Sequence, residues 1–134
     1  MIHIYTDGSS LVNKKGSWAY VIVRDGVIIA EKFGYAPKTH NNEMEFIAAL
    51  NAVKDYPTEE FTLCSDSKIL IDSLTQHLPV WTPDLLPFFQ MKLTQEIYSF
   101  AKTRKHLFKW IKGHGSNVFN QRADRLCRNV LGLK

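Results

Sequence analysis

The sequence predicts an α/β fold, a mixed β-sheet with helices packed against it, and three observations carry the prediction. A hairpin signal, Asp25-Gly26, sits between two β-rich runs near the start. From residue 42 onward helical periodicity takes over, interrupted by two short apolar runs of strand character. The resulting order, β-β-β-α-β-α-α-β-α, has the strand–helix–strand alternation that parallel pairing requires, beside an antiparallel hairpin.

Each element follows from its residues. Ile2 to Thr6 alternate apolar and β-forming residues and halt at the turn-like cluster Asp7-Gly8-Ser9-Ser10. Ser17–Val23 is rich in β-branched and aromatic residues, and the return strand runs from about Val27 to Tyr35, with Pro37 closing it. The second and third strands therefore pair antiparallel. Apolar residues from 42 to 53 recur on one helix face, and Pro57 ends that stretch. Phe61–Cys64 reads as a short strand leading into Ser65-Asp66-Ser67, any of which can cap a helix over 68–76. Pro79, Pro83 and Pro87 break the chain before a helix over 87–102 with Phe89, Leu93, Ile97 and Phe100 on one face. His106–Ile111 reads as a strand and 113–117 as a loop. A last helix places Phe119, Ala123, Leu126, Cys127 and Val130 on one side and ends at Gly132.

At 134 residues the chain matches one domain of roughly 100–200 residues, so 1–134 is expected to be a single unit. No apolar run approaches the roughly 18–20 residues needed to cross a bilayer. Residues 1–7 show neither the basic start nor the long apolar stretch of a secretion signal. Cys64 and Cys127 both lie in apolar-patterned segments; two buried free thiols in a reducing, cytoplasmic setting fit better than a disulfide. The net charge is +4, and it is unevenly spread: residues 101–134 carry 9 Lys or Arg and a single acid, Asp124. A field so lopsided fits a polyanionic partner as well as a merely solvated surface.

Four carboxylates stand at the ends of elements: Asp7 after the first strand, Glu45 in the first turn of the first long helix, Asp66 after the fourth strand, and Asp124 near the start of the last helix. Ligands of such sheets collect at the carboxyl ends of strands. Like charges about 4 Å apart repel by about 4 kcal/mol at an effective dielectric of 20, so a cluster of four needs cations. Hard oxygen donors without sulfur favour magnesium or manganese. Each acid also has a bland reading: a turn residue for Asp7, a capping-box partner of Asn42 for Glu45, an N-cap for Asp66, and a solvated helix-start residue for Asp124.

The blocks around these acids decide between the readings. Tyr5-Thr6-Asp7-Gly8-Ser9, Asn41-Asn42-Glu43-Met44-Glu45, Ser65-Asp66-Ser67 and Trp110-Ile111-Lys112-Gly113-His114, the last followed ten residues on by Asp124, resemble in order the signature blocks of type 1 ribonuclease H. The resemblance runs from about residue 2 to 131. It implies a ribonuclease H-like fold: a five-stranded mixed sheet flanked by helices, its first three strands antiparallel and the others parallel to the first. It implies endonucleolytic hydrolysis of the RNA strand of RNA–DNA hybrids, leaving 3′-hydroxyl and 5′-phosphate ends, with two Mg²⁺ ions on the substrate complex and Mn²⁺ as a substitute. Carried over by motif, Asp7, Glu45, Asp66 and Asp124 are the metal-binding carboxylates, Glu45 also meets an RNA 2′-hydroxyl, and His114 moves protons or assists product release. Asn13, Asn41, Asn42, Lys68 and Lys112 are the expected substrate contacts.

The sequence also departs from the family pattern. Lys68 stands where many members have Gln, and Gln121 where Glu is frequent. The glycine-rich loop after the first aspartate is reduced to residues 12–16. Segment 77–101, where many bacterial members carry a basic protrusion, has no Lys or Arg before Lys92. Grip on the hybrid then falls to Lys102, Arg104, Lys105, Lys109 and Lys112. The apolar stretch 78–89 fits core packing under the sheet or a docking surface on an otherwise monomeric protein. A DNA-directed nuclease and a non-catalytic nucleic-acid-binding module of the same fold are the alternatives.

Overall fold

The computed structural model of the chain describes residues 2–11, 15–39, 42–56, 60–77, 88–113 and 115–132, the side chains of 76, 77 and 88–91 excepted. The strands are β1 (Ile2–Ser10), β2 (Gly16–Arg24), β3 (Val27–Ala36), β4 (Phe61–Ser65) and β5 (His106–Trp110). They form one sheet in the order β3-β2-β1-β4-β5. β1, β2 and β3 pair antiparallel, β4 is parallel to β1, and β5 is parallel to β4. The helices are α1 (Glu43–Asp55), α2 (Lys68–Asp72), α3 (Phe88–Ala101) and α4 (Val118–Val130); α2 runs on into a π-helical turn, Ser73–His77. Element order and pairing senses are those the sequence predicts. Among the described residues no helix is long and apolar enough to cross a membrane.

Strand alternation divides the core into two layers. Ile2, Ile4, Tyr20, Ile22, Leu63 and Phe108 face one way and pack against Phe46, Ala49 and Val53 of α1, Leu70 of α2 and Ile97 of α3. Tyr5, Val21, Val23 and Cys64 face the other way, against Ala123, Leu126 and Cys127 of α4. A strand covered on both faces has no solvent side, and all five residues of β4, Thr62 and Ser65 included, are buried. Both cysteines are buried and free. Asp25 (φ 51°) and Gly26 (φ 79°) are both left-handed, as a two-residue hairpin turn demands.

Two local expectations are corrected. Asp7-Gly8-Ser9-Ser10 is not a turn: β1 continues through it because Gly16–Ala19 of β2 supply ladder partners, from Asp7↔Ala19 to Ser10↔Gly16. The glycine is there for a different reason. A Cβ on Gly8 would lie 2.4 Å from the backbone of Met44 and Glu45, so this residue lets α1 start directly against β1.

Arg104 is the second correction. Rather than facing outward with the other basic residues, it is half-buried. Its guanidinium donates to the carbonyls of Tyr56 and of Val53 (3.0 Å), and its carbon lies 4.6 Å from the centre of the Phe61 ring. It therefore closes the C-terminus of α1, where free carbonyls and the helix dipole favour a cation. Lys102, Lys105, Lys109 and Lys112 are exposed. The stretch 78–87 lies outside the described residues, as do the side chains of 88 and 89.

Candidate active site

The site begins where β4 stops. β4 pairs with β1 only as far as Thr6↔Ser65, so Asp7, the next residue, has β2 on one side and no β4 partner on the other. Asp66 follows β4 at the same level. Ser67, not Asp66, caps α2: its Oγ accepts from the backbone N–H of Leu70 at 3.2 Å. Asn42 precedes α1 in a left-handed conformation (φ 69°) and makes no side-chain cap. No capping box forms, and Glu45 is turned to the sheet end instead. Asp7, Glu45 and Asp66 each bring a carboxylate oxygen to within 4.8 Å of the others.

Asp124 joins from α4. Its carboxyl is near enough to that of Asp7 to raise the Asp7 pKa, and it lines a small cleft with Asp66, Asn120 and Gln121. Four elements thus bring the four acids to one end of the sheet. Asn117 sets the start of α4, its Oδ1 accepting from the N–H groups of Phe119 and Asn120 at 3.0 Å each.

The electrostatics are those of a site short of positive charge. Asp7 is 6% exposed. Burial first, then the charges of Asp66 and Asp124, push its carboxyl up from 3.8 to about 8. Burial, followed by Asp7 and Asp66, holds Glu45 well above the usual carboxylate range. At 4.8 Å each ionised pair repels by about 3–4 kcal/mol at an effective dielectric of 20.

The donor set fits a divalent metal. Glu45 Oε1 is sealed from solvent and accepts no hydrogen bond among the described residues, an arrangement costly for an acceptor without a cation. Every donor is a hard oxygen, which suits Mg²⁺ or Mn²⁺ over softer ions. The two other buried side-chain oxygens without a partner among the described residues, on Thr6 and Asn120, stand one residue before Asp7 and one turn before Asp124.

Of the remaining residues singled out by sequence, Asn42 lines a groove of about 240 Å³ with Gly8, Ser9, Ser10, Met44 and Glu45. Lys68 is exposed at the first position of α2, and Lys112 is exposed just after β5. Asn13, Asn41 and His114 lie outside the described residues.

Sequence reasoning missed several supporting groups. The Trp110 indole N–H donates to the backbone carbonyl of Asp66 at 3.1 Å. A Cβ on Gly113 would stand 2.9 Å from Asp66 Oδ2, so glycine there leaves the carboxylate its room. The Cys127 thiol lies 3.4 Å from the Asp7 carbonyl oxygen. Trp110 and Gly113 sit inside a recognised block, yet their packing against Asp66 has no one-dimensional signature.

The ribonuclease H family profile matches residues 1–131. Ribonuclease H of Campylobacter jejuni is 35% identical over 132 residues, covering 96% of this chain and 90% of that one. Ribonuclease H of Alcanivorax borkumensis is 33% identical over 131 residues, covering 92% and 86%. Among solved structures, RNase H1 from the halophilic archaeon Halobacterium salinarum superposes with a TM-score of 0.78 at 23% identity, covering 98% of this chain and 97% of that one.

Proposed function

The chain belongs to the ribonuclease H family, and from that premise we propose which of its residues do the family's work. The protein is an endoribonuclease that hydrolyses the RNA strand of RNA–DNA hybrids, and it is metal-dependent. The finer assignments, residue by residue, are our reading.

Asp7, Glu45, Asp66 and Asp124 hold the metal, and residues 1–134 act as one catalytic unit. The ions are two Mg²⁺ in the substrate complex, with Mn²⁺ as a substitute. When bound, they lower the pKa of water and stabilise the departing 3′ oxygen. Asp7 is the central ligand: it shares the 4.8 Å cluster with Glu45 and Asp66, and the charge of Asp124 also bears on it. Because Asp7 and Glu45 hold protons more tightly than ordinary carboxylates, loading the site releases protons to solvent. Glu45, on the groove beside Gly8 and Asn42, accepts from a 2′-hydroxyl, the group that separates RNA from DNA. Asn13, Asn41, Asn42, Lys68 and Lys112 position the hybrid through its backbone, and His114 moves a proton at the leaving oxygen. Lys102, Lys105 and Lys109 extend the cationic surface in place of a basic protrusion. The enzyme works as a monomer in the cytoplasm, where Cys64 and Cys127 stay reduced.

The observation that carries this reading is the convergence of three carboxylate oxygens within 4.8 Å, one residue of the three holding a sealed oxygen with no partner among the described residues. The deciding experiment incubates end-labelled RNA–DNA hybrid, duplex RNA and duplex DNA with wild type and Asp7→Asn, in Mg²⁺ or EDTA. Cleavage of the hybrid's RNA strand by wild type in Mg²⁺ alone is expected. Cutting that persists in EDTA or in the variant refutes the assignment. Cutting of duplex DNA would make the enzyme DNA-directed, and binding without cutting would make it a non-catalytic module.

A further inference from the structure

We propose that Gln121 is a positioning residue for the loop that carries His114, fixing the backbone after the histidine while the end of β4 anchors the segment that leads into it. The proposal rests on the role given to His114 above. Gln121 lies in the first turn of α4, where its backbone N–H donates to the Asn117 carbonyl at 3.0 Å. From there its side-chain Nε2 donates to the carbonyl oxygen of Gly115 at 2.8 Å. Gly115 immediately follows His114 in the chain. The residue before the histidine, Gly113, packs on the Asp66 carboxylate closely enough that a Cβ would fall 2.9 Å from Oδ2. The strand feeding the loop is anchored too, through Trp110 Nε1 on the Asp66 carbonyl (3.1 Å) and Ile111 N–H on the Ser65 carbonyl (2.9 Å). The chain is thus tied on both sides of His114 to elements that carry the carboxylates: Trp110 and Ile111 to the end of β4, and Gly115 to α4.

The chemistry of position 121 is specific. A carbonyl acceptor needs a donor, and the Gln amide supplies one. An ionised Glu, frequent at this position in the family, only accepts and would meet the Gly115 oxygen with a second acceptor. Gln121 also lines the cleft shared with Asp66, Asn120 and Asp124, so its neutrality spares a crowded anionic site another charge. This chain therefore holds its histidine loop through a neutral donor. A loop held in one register keeps most molecules competent, whereas a released one spends time elsewhere. The turnover number then falls while hybrid binding, made over other surfaces, persists.

The test measures kcat and KM on a short hybrid for wild type, Gln121→Ala, Gln121→Glu, His114→Ala and the Gln121→Ala/His114→Ala double variant. Thermal unfolding serves as the control for folding. Gln121→Ala is expected to lower kcat about three- to tenfold, the net worth of one such hydrogen bond, with KM within about twofold. Gln121→Glu is expected to lower it at least as far. The double variant is expected to be no slower than His114→Ala alone, because the two changes act on one loop. If His114→Ala is slow but Gln121→Ala is silent, or if their effects multiply, the positioning role is overturned and the histidine's role stands. If His114→Ala is itself without effect, the histidine reading falls and takes the proposal with it.

Discussion

Removing the charge of Asp7 should make the metal-free protein less sensitive to pH while abolishing its activity. Folding raises the Asp7 carboxyl from 3.8 to about 8, so the native state binds a proton that the unfolded chain releases. A raised folded pKa gives stability that is complete below the unfolded value and is lost as pH climbs toward the folded one. Between pH 5 and 7, both inside that window, each unit costs about 1.4 kcal/mol, or roughly 3 kcal/mol in all. Glu45 is raised in part by Asp7, so its own loss shrinks in the variant and the difference grows. Urea unfolding at pH 5 and pH 7 in EDTA reads this directly. Wild type should lose roughly 3 kcal/mol more than Asp7→Asn over the interval, and saturating Mg²⁺ should recover much of the loss at pH 7 because metal displaces the bound proton. Parallel pH profiles for the two proteins in EDTA would refute the argument that burial and the neighbouring carboxylates raise the Asp7 pKa.

Other expectations follow from packing. Gly113→Ala should cost at least tenfold in activity and weaken Mg²⁺ binding measured by calorimetry, with a stability loss under about 2 kcal/mol in thermal unfolding, because the new methyl presses on a side chain rather than on backbone. Gly8→Ala should be far worse for the fold, on the order of 3 kcal/mol in urea unfolding, since its Cβ would meet the backbone of Met44 and Glu45. Arg104→Ala should destabilise by about 2–3 kcal/mol through the lost α1 closure, yet leave the salt dependence of hybrid binding unchanged. Replacing Lys105, Lys109 and Lys112 by Ala should do the reverse. It should lower the slope of log K against log salt by about 0.7–0.9 for each phosphate that these lysines neutralise in the wild type, as fluorescence anisotropy across a salt series would show.

Much of the fold and the site was legible in one dimension, and the reasons are local. The Asp25-Gly26 turn shows in the sequence because few residues accept two successive left-handed conformations. α4 shows because its one buried face repeats with the helical period. The four acids stood out because each lies in or at a fixed spacing from a recognisable block, although Asp7 proves to lie within β1 and Asp124 within α4 rather than at their ends. Where the reading went astray, the deciding partner was distant in the chain. β1 runs past Asp7 because β2 is there to pair with it. Arg104 turns inward because the end of α1 offers unpaired carbonyls about fifty residues earlier in the chain.

The order of elements and the hairpin were thus settled by amino-acid pattern, since backbone preference and hydrophobic period act over a few residues, and the same pattern singled out the acids as candidates. Tertiary structure alone decided that β4 ends one residue short of Asp7, which exposes that carboxyl to Asp66 while α1 and α4 bring in Glu45 and Asp124. It also decided that two glycines serve as close-packing points against α1 and Asp66. Both outcomes depend on contacts between segments tens of residues apart, and steric exclusion and charge repulsion at such distances leave no trace in local sequence.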